Sequence, residues 1–123
     1  MKNLFKYISL FIVTLVMSSA TASADYQKGL DAYNAGDYAT ALREWRPLAN
    51  QGLASAQYNL GVMYDNGRGV PQDDVEAYKW WNLAAAQGNA FAKSHKEIVE
   101  KKMTRQQIAE GQRLSREWFN EHH

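Results

Sequence analysis

One pattern returns at a fixed spacing, and it limits what this chain can fold into more than any other feature. Asp37, Ala41, Trp45, Ala49, Gln51, Gly52 and Ala54 recur 36 residues later as Asp73, Ala77, Trp81, Ala85, Gln87, Gly88 and Ala90. Upstream of each copy, Tyr26, Gly29 and Asn34 recur as Tyr58, Gly61 and Asn66, at an offset of 32. The second copy therefore carries four additional residues between its two segments. They fall in Gly67-Arg68-Gly69-Val70-Pro71-Gln72, a turn-forming stretch by its glycines and proline. A period of this length, with one helix pair per unit, is the mark of an α-solenoid: each unit exposes an apolar face that only a neighbouring unit covers. The expected fold is all-α, a short right-handed α-α superhelix of about three helix pairs.

Local signals agree with that reading. Tyr26, Gly29, Leu30 and Tyr33 are at helical spacing, and Gly36 ends that segment. Asp37 is placed to N-cap the next helix, which runs to about Gln51 with Ala41, Leu42, Trp45, Leu48 and Ala49 along one side. Pro47 lies well inside it, so a kink or a division near Trp45–Arg46 is expected. Between Ala54 and Ala90 small residues (Gly61, Ala77, Ala84, Ala85) accompany bulky ones (Leu60, Tyr64, Trp81, Leu83), as a close helix crossing requires. Glycine inside a helix costs about 0.5–1 kcal/mol relative to alanine. Two matched glycines, Gly29 and Gly61, therefore predict a close approach, read here as one of backbones. Asp73 with Glu76 is an aspartate version of the capping box, and Thr104 with Gln107 is another capping box. Phe91, Ala92, Ile98 and Val99 predict a third first-helix. Ile108, Leu114 and Trp118 are the apolar contacts of a last helix ending near Trp118, with a frayed tail at residues 120–123.

The first 24 residues read differently. Lys2 and Lys6 precede the apolar run Ile8–Met17, and a small polar stretch ends in Ala22-Ser23-Ala24. This is the layout of a secretory signal peptide with an A-x-A cleavage site. The run is shorter than the roughly 20 residues of a membrane-spanning helix, which argues against a retained anchor. Without a cysteine there is no lipid attachment either. The expectation is a signal peptide at 1–24 and a protein exported to the periplasm or secreted. Cleavage there removes two of the 14 basic residues and none of the 13 acidic ones, leaving 12 against 13 and a net charge of −1. That balance excludes a nucleic-acid footprint or a polybasic membrane patch. With no cysteine, no disulfide holds the domain, and a packed core must.

No residue set suggests catalysis. His95 has Ile98 and Val99 at i+3 and i+4, so no metal partner accompanies it, and a solvated ring is expected. His122-His123 is read as part of the tail rather than a metal pair. Asp73, Asp74 and Glu76 are the densest acidic cluster; capping and helix-dipole compensation after Pro71 outweigh an acid/base pair. Gly67-Arg68-Gly69 lacks the spacing of a phosphate loop. Trp81 matches Trp45 and belongs to the core. Trp80 aligns with Glu44 and is the more exposed of the two, a candidate contact residue although packing is the preferred reading. No cofactor and no metal are expected.

The stretch ASAQYNLGVMYDNGRGVPQDDVEAYKWWNLAAAQGNA, Ala54 to Ala90, resembles a Sel-one-like repeat of the tetratricopeptide-like superfamily. Residues 25–52 are similar but keep the short turn of an ordinary tetratricopeptide repeat. Residues 91–119 look like a degenerate third helix pair acting as a C-terminal cap. The resemblance implies a protein- or peptide-binding adaptor, in the cell envelope if the leader is used. Carried over position by position, it turns Tyr33, Asn34, Asp65 and Asn66 to the concave, ligand-facing side. The amides Asn34 and Asn66 are suited to clamp an extended peptide backbone, while Asn66 before Gly67 also suits a helix end. Two other implied functions are a β-lactam-binding or hydrolysing envelope protein, as in cysteine-rich relatives, and a self-associating scaffold. The absence of cysteine and of an S-x-x-K or G-x-S-x-G motif weighs against the former.

Overall fold

A computed structural model describes residues 21–123 as α-helices joined by short turns, with no strand among the described residues. The helices are α1 (residues 21–34), α2 (Tyr38–Asn50), α3 (Ala54–Asn66), α4 (Asp74–Ala86), α5 (Ala90–Glu100) and α6 (Arg105–Glu121). The expected signal sequence lies mostly outside the described residues. The part of it that is seen, residues 21–24, is helical and continuous with α1.

The helix ends follow local chemistry. Asp37 accepts from the Thr40 amide and caps α2. Asp73 accepts from the Val75 and Glu76 amides at the start of α4. Asn89 caps α5 through the Ala92 amide, and Thr104 with Gln107 forms a full capping box on α6. The Asp73 box is only half made. The Asp73 amide already donates to the Tyr64 carbonyl at 3.0 Å, so Glu76 turns instead to Lys79 at 3.2 Å. Gly67 ends α3 in the left-handed conformation (φ 66°), and the Arg68 amide closes the turn on the Met63 carbonyl. Pro47 does not divide its helix: α2 is continuous from Tyr38 to Asn50.

Packing repeats with the sequence. In each unit an indole lies across a glycine of the preceding helix, Trp45 on Gly29 and Trp81 on Gly61. A β-carbon on either glycine would fall 2.3 Å from the indole Nε1. The close approach is thus between a helix backbone and a side-chain ring, not between two backbones. The ring sits there because its N–H donates to a backbone carbonyl one turn earlier, Trp45 to Tyr26 and Trp81 to Tyr58, both at 3.1 Å. Adjacent units are tied by a second recurring contact. Asn59 Nδ2 donates to the Tyr26 hydroxyl at 3.1 Å, and 36 residues on His95 Nε2 meets the Tyr58 hydroxyl at 3.5 Å.

The core forms two clusters that share α4. One joins Trp45, Leu48, Leu60 and Met63 with Trp80, Leu83 and Trp118; the other joins Tyr78, Trp81, Val99 and Met103. Gln57 is fully buried between units, donating to the Ala49 carbonyl and accepting from Gln87 Nε2 at 2.9 Å. Helix α6 covers α4 with small residues, Gly111 against the Tyr78 ring and Ser115 near the Lys79 carbonyl. It also reaches back to the first unit, where Trp118 Nε1 donates to Asn50 Oδ1 at 3.2 Å.

The C-terminal end departs from expectation. The helix continues past Trp118 to Glu121. His122 stacks on Trp118 with ring centroids 4.3 Å apart, and His123 stacks on Phe119 at 4.1 Å. Both Nδ1 atoms are held by backbone carbonyls one turn back. His95 is also not freely solvated. It wedges between Tyr58 and Trp81, with its Nδ1 2.7 Å from the Phe91 carbonyl. Of the α5 apolar set, Ala92 and Val99 are buried while Phe91 and Ile98 remain 70% and 62% exposed.

Candidate functional site

Two first-helices, α1 and α3, run side by side and leave a cleft of about 220 Å³ between them. Leu30, Tyr33 and Asn34 come from α1, and Tyr58, Asn59 and Val62 from α3, with the Trp45 indole behind. The repeat register explains this lining. Leu30 and Val62 are 32 residues apart, the same offset as the glycine pair, so both emerge on the same side of their helices. Ile98 on α5 takes the corresponding place one unit further, 36 residues after Val62, and is largely exposed. An aliphatic residue therefore occupies one register position in all three units.

The tyrosines in and beside the cleft, Tyr33 and Tyr58 in its lining and Tyr26 next to it, have hydroxyls that are already engaged. Tyr26 accepts from Asn59, and Tyr58 meets His95. Burial, with the neighbouring Tyr33 and Tyr26, raises the Tyr58 hydroxyl above its ordinary pKa and keeps it neutral. Tyr33 accepts a 2.7 Å hydrogen bond from Arg68 Nη1. The Arg68 guanidinium lies over two rings, 5.7 Å from the Tyr33 centroid and 5.5 Å from that of Tyr38. These contacts raise the Arg68 pKa further, the hydrogen bond to Tyr33 most. No carboxylate among the described residues forms an ion pair with it.

The five residues singled out from sequence are not gathered in one place. Tyr33 and Asn34 line the cleft, Asn34 with its side chain exposed. Asp65 does not line it; its carboxylate is taken by Lys102 at 3.4 Å, which also reaches Asp74 at 3.5 Å. Asn66 is exposed as the last residue of α3 and also lies outside the cleft lining. The amide that faces the cleft beside Asn34 is Asn59. Trp80 follows the preferred packing reading and is no contact residue: it is 5% exposed, packed edge-on against Trp118 and covered by Lys79 at 4.3 Å. Helix α6 buries it, and alignment with Glu44 could not reveal that. Leu30, Val62 and Asn59 were legible in principle from register alone. Arg68 was not, because its position depends on the turn's conformation.

The acidic cluster is fully engaged, Asp73 in capping, Asp74 with Lys102 and Gln72, and Glu76 with Lys79. Among the described residues no group of three or more His, Cys, Asp or Glu side chains is placed to hold a metal ion. No helix among them is long and apolar enough to cross a membrane.

Comparison with known proteins agrees with the geometry. Residues 54–89 match the Sel1 repeat family. The chain is similar to a protective antigen of uropathogenic Escherichia coli that displays an SLR fold. The TM-score is 0.74 and the identity 32%, over 80% of this chain and 22% of the antigen. It is 36% identical over 63 residues to an exopolysaccharide production negative regulator of Rhizobium leguminosarum bv. viciae, covering 51% of this chain and 24% of the regulator. It is 41% identical over 59 residues to chitin synthase regulatory factor 3 of Schizosaccharomyces pombe, 48% of this chain and 6% of that protein. The chain thus spans about a quarter or less of each of these proteins.

Proposed function

We propose, taking as premise that residues 54–89 form a Sel1-type repeat within an all-α solenoid, that the chain is a non-catalytic adaptor binding an extended protein segment. The observation that carries this reading is the cleft between α1 and α3. It is open to solvent, lined by Leu30 and Val62, and flanked by Asn34 and Asn59 amides that suit a peptide backbone. The similarity to proteins named as regulators supports a binding role over a chemical one. From the basic start, apolar run and Ala22-Ser23-Ala24, the adaptor works outside the cytoplasm, in the periplasm or beyond.

A photo-crosslinking residue placed at Asn34 tests the binding reading in cells, with Arg116 on the exposed side of α6 as the control position. Position 34 is expected to capture a discrete partner that position 116 does not. Identical adducts from both positions, or none from position 34, would remove the groove as the binding face. Fractionating the same cells tests export: material confined to the cytoplasm and still carrying residues 1–24 contradicts it.

A further inference from the structure

We propose that the cleft selects a segment in which a bulky aliphatic side chain sits beside an acidic one, with Arg68 as the residue that reads the acid. This rests on the groove reading above and specifies its ligand. The cleft, about 220 Å³, has room for an aliphatic side chain. Its floor is apolar, so water there is poorly held and an aliphatic side chain gains by replacing it.

At the α1 end the chemistry changes. Tyr33 forms cleft wall, and its hydroxyl accepts from Arg68. The guanidinium is fixed by that hydrogen bond and by two tyrosine rings, and it is exposed. Other fixed cations face carboxylates: Lys102 has Asp65 and Asp74, Lys79 has Glu76, and Arg113 has Glu110 and Glu117, while Arg46 donates to the Tyr64 hydroxyl outside the cleft lining. Of the cations held without a carboxylate, Arg68 is the one bonded to a residue of the cleft wall. One Nη1 bond to a neutral phenol leaves other N–H donors of the fork for a carboxylate. The rings immobilise the side chain before a ligand arrives, which lowers the ordering cost of binding.

Arginine 68 also bridges α1 to the turn after α3, so its loss alone would not separate recognition from support. The test uses a short fluorescein-labelled peptide of glycine and serine carrying one leucine beside one glutamate, with an amidated C-terminus, measured by anisotropy. Companion peptides replace the glutamate with glutamine or lysine, or the leucine with alanine; a glutamine version with a free C-terminus tests the terminal carboxylate as the source. Wild type is expected to prefer the glutamate peptide over the amidated glutamine one by about five-fold, the worth of an exposed charge pair. It is expected to lose about ten-fold with alanine for leucine. Arg68→Glu should reverse the order in favour of the lysine peptide, and Arg68→Lys should keep the glutamate preference. Equal binding of the glutamate and amidated glutamine peptides overturns the proposal, as does failure of Arg68→Glu to reverse the order. Recovery of binding by the free C-terminus alone, or no binding of any peptide, overturns it too. Should crosslinks at position 34 persist under any of those outcomes, the groove reading stands and only the acidic specificity falls.

Discussion

Gly61 has no β-carbon and Trp81 has one N–H donor, and the crossing of α3 and α4 follows from those two facts. The indole rests on the glycine backbone so that its N–H reaches the Tyr58 carbonyl. Gly61→Ala should cost at least about 2 kcal/mol, since a new methyl group forces the ring or the helix to move. Trp81→Phe removes the donor and part of the ring that the methyl would strike, and by itself costs about 1 kcal/mol for the hydrogen bond plus lost packing. The double variant should then be more stable than the sum of the two losses predicts. Urea denaturation of all four proteins checks this, and strict additivity would show that the two residues do not act as a pair. Gly29 and Trp45 repeat the geometry in the first unit. The sequence offered the pair of glycines and the pair of tryptophans separately; that each glycine serves its tryptophan is a three-dimensional fact.

At the level of elements, the turn between α5 and α6 is fastened to α3 and α4 by Lys102, which spans Asp65 and Asp74. Partial burial works against its charge, but the two carboxylates outweigh it and hold the ammonium above its ordinary value of 10.5. A folded-state pKa raised in this way adds stability below the unfolded value, and that addition is lost as pH rises through the folded one. Lys102→Met should therefore lower stability by up to about 1 kcal/mol, a modest figure because the side chain is half exposed. The deficit should stay constant through neutral pH and shrink only above about 10.5. Parallel denaturation curves at rising pH check it, and a deficit that grows with alkalinity would contradict the sign. The same contact explains why Asp65 is no open recognition residue. Position in a repeat says which side of a helix a residue is on, but not whether a lysine 37 residues later has claimed it.

For the whole molecule, α6 decides whether three units behave as one. Trp118 packs on Trp80 and donates to Asn50, so the last helix touches both the middle and the first unit. Trp118→Ala should cost about 3–5 kcal/mol. Because the indole joins units otherwise linked only through their neighbours, the variant should also broaden or split the single unfolding transition. Circular dichroism and tryptophan fluorescence that still melt together, with little loss of midpoint, would show that α6 is a dispensable cover.

By itself the sequence determined the repeat, the helix pairs, the caps at Asp37, Asp73 and Thr104, and the aliphatic register through Leu30, Val62 and Ile98. These are set by spacing along the chain and by bonds that reach no further than one turn, so they can be read in one dimension. The tertiary structure decided which surfaces remained available. It buried Trp80 beneath α6, bound Asp65 to Lys102, stacked the two terminal histidines on aromatic rings, and held Arg68 free above Tyr33 and Tyr38. Each of those outcomes depends on a partner at least a turn away, and most on one from another helix. Whether a side chain is spent on folding or left for a ligand is a property of its neighbours in space.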